Sequence, residues 1–267
     1  MNAPAAEPLL LSDCRDGVLR LTLNRPAARN ALSSALMRAL LEALEQAATE
    51  PAVRVIVIAA AGPVFSAGHD LRELTEARAQ RDRGKESFAA LFTQCSRLMQ
   101  AIVMYPRPVI AEVQGVATAA GCQLVASCDL AVAANTAKFA TPGVNIGLFC
   151  STPMVALSRN VPRKAAMEML LTGDMVTADE AVRIGLINRA VAPDSLRAET
   201  MALAAKIAAK PYATVRTGKH AFYRQLEMTL EDAYDFAAQV MTENMMHAES
   251  QEGIGAFLEK RAPKWPE

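Results

Sequence analysis

The sequence predicts an α/β fold with a mostly parallel sheet and a helical C-terminal region. Three observations carry this reading. Continuous apolar strands, Val53–Ala60 and Val109–Val113, alternate with segments of helical periodicity through the first two thirds of the chain. Each of these strands leads into a turn of small residues followed by a helix start. After about Pro193 the strand pattern stops, and four helical segments complete the chain.

The elements follow in order. Leu9–Ser12 and Val18–Leu23 read as two strands joined at Arg15-Asp16-Gly17, a hairpin signal. Asn24-Arg25-Pro26 breaks the second strand. Ser33 then caps a helix whose apolar residues Leu36, Leu40, Leu41 and Leu44 recur at three and four. Pro51 ends it, and Val53–Ala60 is a strand of the fully buried kind. Leu71–Lys85 is rich in Arg, Glu and Gln and reads as a solvated helix or lid. Helical spacing returns over Phe88–Val103 through Leu91, Leu98 and Ile102, and Pro106 and Pro108 stop it before Val109–Val113. Asp129–Ala133 and Lys138–Ala140 are short strands. Leu196–Ala209, Tyr212–Leu226, Leu230–Met246 and Glu249–Leu258 are the closing helices. Their Ala- and Met-rich faces, with Met241, Met245 and Met246, predict packing on another subunit.

Composition narrows the functional class. With 267 residues the chain buries a sizeable core, and 52% apolar and 21% charged residues suit a globular protein. Net charge is zero, which argues against nucleic acid or an anionic membrane as partner. The five cysteines form no CxxC pair and, with three scattered histidines, offer no metal-ligand spacing. They read as small buried apolar residues in a reducing compartment. Met1–Leu11 lacks a basic or Arg-rich targeting pattern, and no apolar run approaches the roughly 20 residues that span a bilayer. These features predict a cytoplasmic enzyme without metal.

The turns carry the chemistry. Phe65–Leu71 reads Phe-Ser-Ala-Gly-His-Asp-Leu, and Gln114–Gly121 reads Gln-Gly-Val-Ala-Thr-Ala-Ala-Gly. A small-residue turn into a helix leaves N–H groups without intrahelical acceptors, and such groups hold developing negative charge. Two of these turns can aim two donors at one carbonyl oxygen.

With these segments in register, the chain resembles the crotonase (enoyl-CoA hydratase/isomerase) superfamily. The likeness runs from Asn24-Arg25-Pro26 and Asn30-Ala31-Leu32 through Phe65–Leu71, Gly115–Leu130, Phe139–Gly147, Leu171–Gly173 and Ala178–Gly185. It implies a spiral of strand–strand–helix units over residues 1–195 and a helical trimerisation region over 196–267. It also implies a homotrimer or dimer of trimers, and an acyl-CoA thioester as substrate with no cofactor besides its coenzyme A. By position, His69 and Ala120 supply the oxyanion N–H groups. Ala67, Gly68, His69, Asp70, Leu71 and Arg72, with Ala120, would line the acyl-CoA site. Arg29 falls either near the CoA phosphates or in a surface salt bridge. Nominally the reaction is hydration of a 2-enoyl-CoA.

Two positions depart from the family pattern. Hydratases of this kind use a pair of glutamates, and the matching positions here are Gln123 and Gly143. Glutamine orients a water but takes no proton near neutral pH, and glycine offers no side chain. This leaves decarboxylation, isomerisation, thioester hydrolysis or silent acyl-CoA binding as alternatives. His69 is the first titratable substitute, its alternative being a polar lining of the CoA channel; some decarboxylating members resemble this chain in Ala-Gly-His-Asp. Asn145, Cys150 and Ser151 lie where the family builds its acyl pocket, and packing or helix capping accounts for them equally well. Asp70 reads as a helix cap, Asp129 as structural, and Glu112 as the partner of an arginine or an interface residue. Phe139–Pro153 is similar to the subgroup described as enoyl-CoA hydratase domain-containing.

Overall fold

The computed structural model describes residues 7–266. β1 (Leu10–Arg15) and β2 (Val18–Leu23) form the antiparallel hairpin, with Arg15 opposite Val18 across the Asp16-Gly17 turn. α1 (Ser34–Thr49) starts where Ser33 Oγ accepts the Leu36 N–H at 3.2 Å, and it buries Leu36, Met37, Leu40 and Leu44. β3 (Val55–Ala60) and β4 (Val64–Ser66) lead into α2 (Leu71–Ala77) and α3 (Lys85–Val103). β5 (Val109–Val113), β6 (Val116–Thr118) and α4 (Ala120–Ser127) repeat the unit, and β7 (Leu130–Ala134) with β8 (Lys138–Ala140) begins it again. α5 (Ser151–Asn160), α6 (Arg163–Thr172), β9 (Val176–Thr177), α7 (Ala178–Arg183) and β10 (Arg189–Val191) complete the spiral.

The strands divide between two sheets. The larger has the order β1-β2-β3-β5-β7-β10 and is parallel apart from β1. The smaller has the order β4-β6-β8-β9, parallel from β4 to β8 with β9 antiparallel at its edge. Each of the pairs β3/β4, β5/β6 and β7/β8 therefore sends its first strand to one sheet and its second to the other. Of the smaller sheet the sequence reading finds β8, at Lys138–Ala140, and it treats Val116–Thr118 as part of a turn. Three residues are too short to display a period of two.

The main core lies between the inner face of the large sheet (Leu21, Ile56, Ile58, Val109, Ala111), α1, α3 and the small sheet with Phe65 and Phe139. α8 (Leu196–Ala208) covers the outer face, packing Ala204 against Val18, Val55, Val57 and Ile110. The helices standing outside this body are α9 (Tyr212–Gln225), α10 (Leu230–Met245) and α11 (Ala248–Leu258). α9 and α10 bury no residue completely. A polar clamp ties α9 to the core. Lys219 Nζ donates to Asp129 Oδ2 (2.7 Å) and to the Ile102 and Arg107 carbonyls (3.1 and 3.0 Å), and Tyr223 Oη donates to Asp129 Oδ1 at 2.9 Å. Asp129 also accepts the Val109 N–H at 2.6 Å, so its role is structural, as the sequence predicts.

Candidate oxyanion site

The turn after β4 is held by the turn after β2. Asn30, fully buried at positive φ, donates to the Ala61 and Val64 carbonyls (2.8 and 2.7 Å) and accepts the Arg25 N–H. Ser66 Oγ donates to the Asn30 carbonyl at 2.9 Å. The Ala67 N–H donates to the Arg29 carbonyl, and Leu32 N–H to Gly68 O at 2.7 Å. These bonds fix the backbone on both sides of His69. The positioning roles of Asn30 and Ser66 are missing from the sequence reading, because a buried polar scaffold residue leaves no periodic signal.

Gly68 brings the two turns together. Its φ is +92°, and a Cβ there would stand 2.8 Å from Ala119 Cβ, 3.1 Å from Thr118 O and 3.3 Å from Ala120 N. Only a residue without a side chain permits that approach. Gly121 does the same one step on, where a Cβ would meet Ser66 O at 2.3 Å. Ala119 precedes α4 at φ 50°, ψ −120°, a conformation costly for a residue with a Cβ. Its N–H donates to Ala140 O at 2.9 Å. Among the described residues, neither the His69 nor the Ala120 N–H has an acceptor in the protein. Two free donors on turns that touch, one in a fully buried residue, depart from the near-complete pairing of interior N–H groups.

The His69 imidazole meets Phe92 of α3 edge-on at 5.4 Å between centroids. Both ring nitrogens are buried and neither makes a well-formed hydrogen bond; the Leu32 carbonyl is the acceptor that faces the ring. Burial lowers its pKa below the ordinary 6.5, with the Leu32 carbonyl working weakly the other way, so the ring is neutral at pH 7. Phe92 escapes the sequence reading because it lies off the Leu91–Leu98–Ile102 stripe.

Asp70 is a cap, as predicted. Its Oδ1 accepts the Arg72 N–H at 3.1 Å and its Oδ2 accepts from Arg25 at 2.9 Å. Burial opposes ionisation, but Arg25 and the Arg72 amide outweigh it and hold the carboxyl below the usual range. Leu71 and Arg72 face solvent at the start of α2. Arg29 is exposed, with φ 52°, and is in no ion pair among the described residues; its alternative as a surface salt bridge is not formed. Glu112 pairs with Arg20 at 2.5 Å inside the large sheet, which makes it a structural ion.

At Gln123 and Gly143, the positions expected to match the glutamate pair of the family's hydratases, the surroundings are closely packed. Gln123 is buried in α4, its Oε1 3.8 Å from Cys95 Sγ. Burial pushes the Cys95 thiol up to about 12, so it stays protonated. Gly143 sits in a 3₁₀ turn over Pro142–Ile146 where the Leu148 N–H donates to its carbonyl at 2.9 Å. A Cβ at Gly143 would lie 2.4 Å from Leu148 O and 2.9 Å from Cys150 Sγ. Neither position carries or faces a carboxylate. The candidates around it do not assemble. Asn145 is exposed, Ser151 Oγ donates to Phe149 O, and the buried Cys150 thiol is raised above its ordinary pKa by burial. Of the five cysteines, Cys14 corrects the expectation of burial: it lies exposed on edge strand β1.

Comparison with known proteins adds an independent line. Residues 13–267 match the family described as Enoyl-CoA hydratase/isomerase. The chain belongs to that family. It is 49% identical over 261 residues to enoyl-CoA hydratase domain-containing protein 3, mitochondrial, of Mus musculus, covering 97% of this chain and 85% of that protein. A crystal structure titled enoyl-CoA hydratase from Mycobacterium smegmatis is 56% identical with a TM-score of 0.92, covering 97% and 99% of the two chains. The human domain-containing protein 3 structure also gives 0.92 at 47% identity over 97% and 100%. A protein named crotonyl-CoA hydratase from Syntrophomonas wolfei is 34% identical over 246 residues, covering 90% of this chain and 91% of that one. The expectation of a cytoplasmic location is overturned, because the vertebrate relatives bear the name mitochondrial. Destination is written in address signals, not in core packing, so fold and composition carry no information about compartment.

Proposed function

We propose that this enoyl-CoA hydratase/isomerase family protein binds acyl-CoA thioesters with the carbonyl oxygen between the His69 and Ala120 N–H groups. The approach of Gly68 to Ala119 and Ala120 supports the reading, since it brings the turn that bears the His69 N–H against the turn that bears the Ala120 N–H. Enolate formation and conjugate addition both build charge on that oxygen, and preorganised donors strengthen as the charge grows. Ala67 to Arg72 would flank the acyl and pantetheine portions, with Arg29 free for the CoA phosphates.

The reaction proceeds without a glutamate pair. Gln123 holds or orients but does not transfer a proton, and nothing extends from Gly143. Hydration in the usual two-carboxylate manner is therefore not the activity; the chain stabilises a thioester enolate in a reaction that needs no such pair, such as decarboxylation. One observation favours a second reading, hydration with His69 as base: the imidazole is neutral at pH 7 and its nitrogens make no well-formed hydrogen bond.

The test incubates the pure protein with crotonyl-CoA, longer enoyl-CoAs and malonyl-type CoAs, following binding and turnover together. Binding of thioesters, weakened about tenfold or more by Gly68→Ala, is expected. Turnover of crotonyl-CoA abolished in His69→Ala would select the second reading. Failure to bind any CoA thioester would remove the proposal. The same reading places second copies of the chain on the apolar faces of α9–α11, where Met246 is 83% and Phe257 81% exposed. Light scattering that returns a monomer would refute that part.

A further inference from the structure

A second concave site lies in the C-terminal helices, away from both oxyanion turns. A cavity of about 380 Å³ opens between α9 and α10 and is closed at one end by His247, the residue before α11. Arg216, His220 and Arg224 recur at spacings of four along α9, so one helical face presents all three to it. Tyr212 and Phe236 supply aromatic walls, and the Arg224 guanidinium lies over the Phe236 ring at 4.5 Å from its centroid.

The charge of this cavity is unbalanced. No Asp or Glu lines it, and neither Arg216 nor Arg224 is in an ion pair among the described residues. The carboxylate at its border, Glu249, is already used: it accepts the Ala213 and Thr214 N–H groups and the Thr214 hydroxyl at 3.1, 2.9 and 2.9 Å. His220 Nε2 and His247 Nδ1 are buried with no hydrogen-bond partner. In a chain of zero net charge, two guanidinium groups on one concavity with no carboxylate lining it are a local excess of positive charge. Such an excess, with low-dielectric walls, concentrates anions.

We infer that this cavity binds an organic phosphate. The guanidinium forks supply planar, multi-donor recognition of phosphate oxygens, the imidazoles add short-range donors, and the aromatic walls suit a planar group attached to the phosphate. The adjoining cavity of about 770 Å³ shares Tyr212, Ala213 and His247 and adds Trp265, which gives the attached group room. A free nucleotide and the nucleotide portion of coenzyme A present the same chemistry. The inference stands apart from the oxyanion proposal, because it uses none of the same residues.

Three histidines make the test direct. Pyrophosphate, ADP and CoA are titrated separately into the whole protein while the histidine ring-proton resonances are followed by NMR. Pyrophosphate and ADP are expected to move His220 and His247 saturably and to leave His69 in place. Arg216→Ala/Arg224→Ala, which alters two exposed side chains, should weaken that binding by about tenfold or more with no change in melting temperature. CoA binding at these two histidines more tightly than ADP would assign the source as coenzyme A; equal or weaker binding would assign a free phosphate. No saturable shift at either histidine up to about 10 mM pyrophosphate, or an affinity unchanged in the double variant, would overturn the inference.

Discussion

Gly143, expected to match a proton-transfer position of the family's hydratases, offers the sharpest test of how tightly its surroundings pack. In Gly143→Ala the new methyl would sit 2.4 Å from Leu148 O, roughly 1 Å inside an ordinary carbon–oxygen contact, and 2.9 Å from Cys150 Sγ. The first obstacle is backbone, and its own N–H is bonded to the Gly143 carbonyl at 2.9 Å, so no rotamer change relieves it. The 143–148 turn must open. Overpacking of this kind costs about 1–3 kcal/mol, which for a chain of this size lowers the melting temperature by about 2–4 °C per kcal/mol. A glutamate there starts with the same clash and adds a carboxyl to be solvated. Gln123→Glu/Gly143→Glu should therefore melt several degrees lower and should not hydrate crotonyl-CoA at the rates of two-glutamate hydratases. Thermal melts and a crotonyl-CoA assay measure both. A double variant that melts with the parent and hydrates crotonyl-CoA would refute the argument that the surroundings pack tightly around Gly143.

Further expectations follow from other parts of the structure. Ala119→Gly should raise stability by about 1 kcal/mol, because relief of the positive-φ strain exceeds the entropy glycine costs in the unfolded chain; a loss in urea denaturation contradicts this. Lys219→Met strands the buried Asp129 carboxylate and should cost about 3–5 kcal/mol, with Lys219→Met/Asp129→Asn losing less than the sum of the two single changes. His69 has a folded-state pKa below its ordinary 6.5. The unfolded chain thus binds more protons below pH 6.5, so stability at this residue is complete above 6.5 and falls on acidification from there down through the folded pKa. His69→Gln should flatten that limb of the stability curve, and an unchanged pH dependence would show the ring to be solvated.

How legible the fold was depends on where each element's signal resides. Helices with an unbroken apolar stripe, α1 and α3, and the buried strands β3 and β5 were readable because burial of one face imposes a period on their own residues. The caps at Ser33 and Asp70 were readable for the same local reason. Of the small sheet only β8 was, at Lys138–Ala140. Its strands of two or three residues are stabilised by pairing with segments distant in the chain, as Val64 with Val116 and Ala117 with Phe139, and such short segments carry no period of their own. Asp129 illustrates the boundary: its structural role was foreseen, whereas its partners Lys219 and Tyr223, ninety residues on, were not.

The family resemblance, the two small-residue turns and the presence of Gln123 and Gly143 were legible in the sequence, because motif and residue identity are local facts. Only the tertiary structure decided that Gly68 lets the turns touch, that the ring nitrogens of His69 are shut off from solvent, and that Leu148 and Cys150 fill the space beside Gly143. Each of these depends on backbone distances between segments far apart in the chain, and on the desolvation that packing imposes. Composition and spacing encode neither.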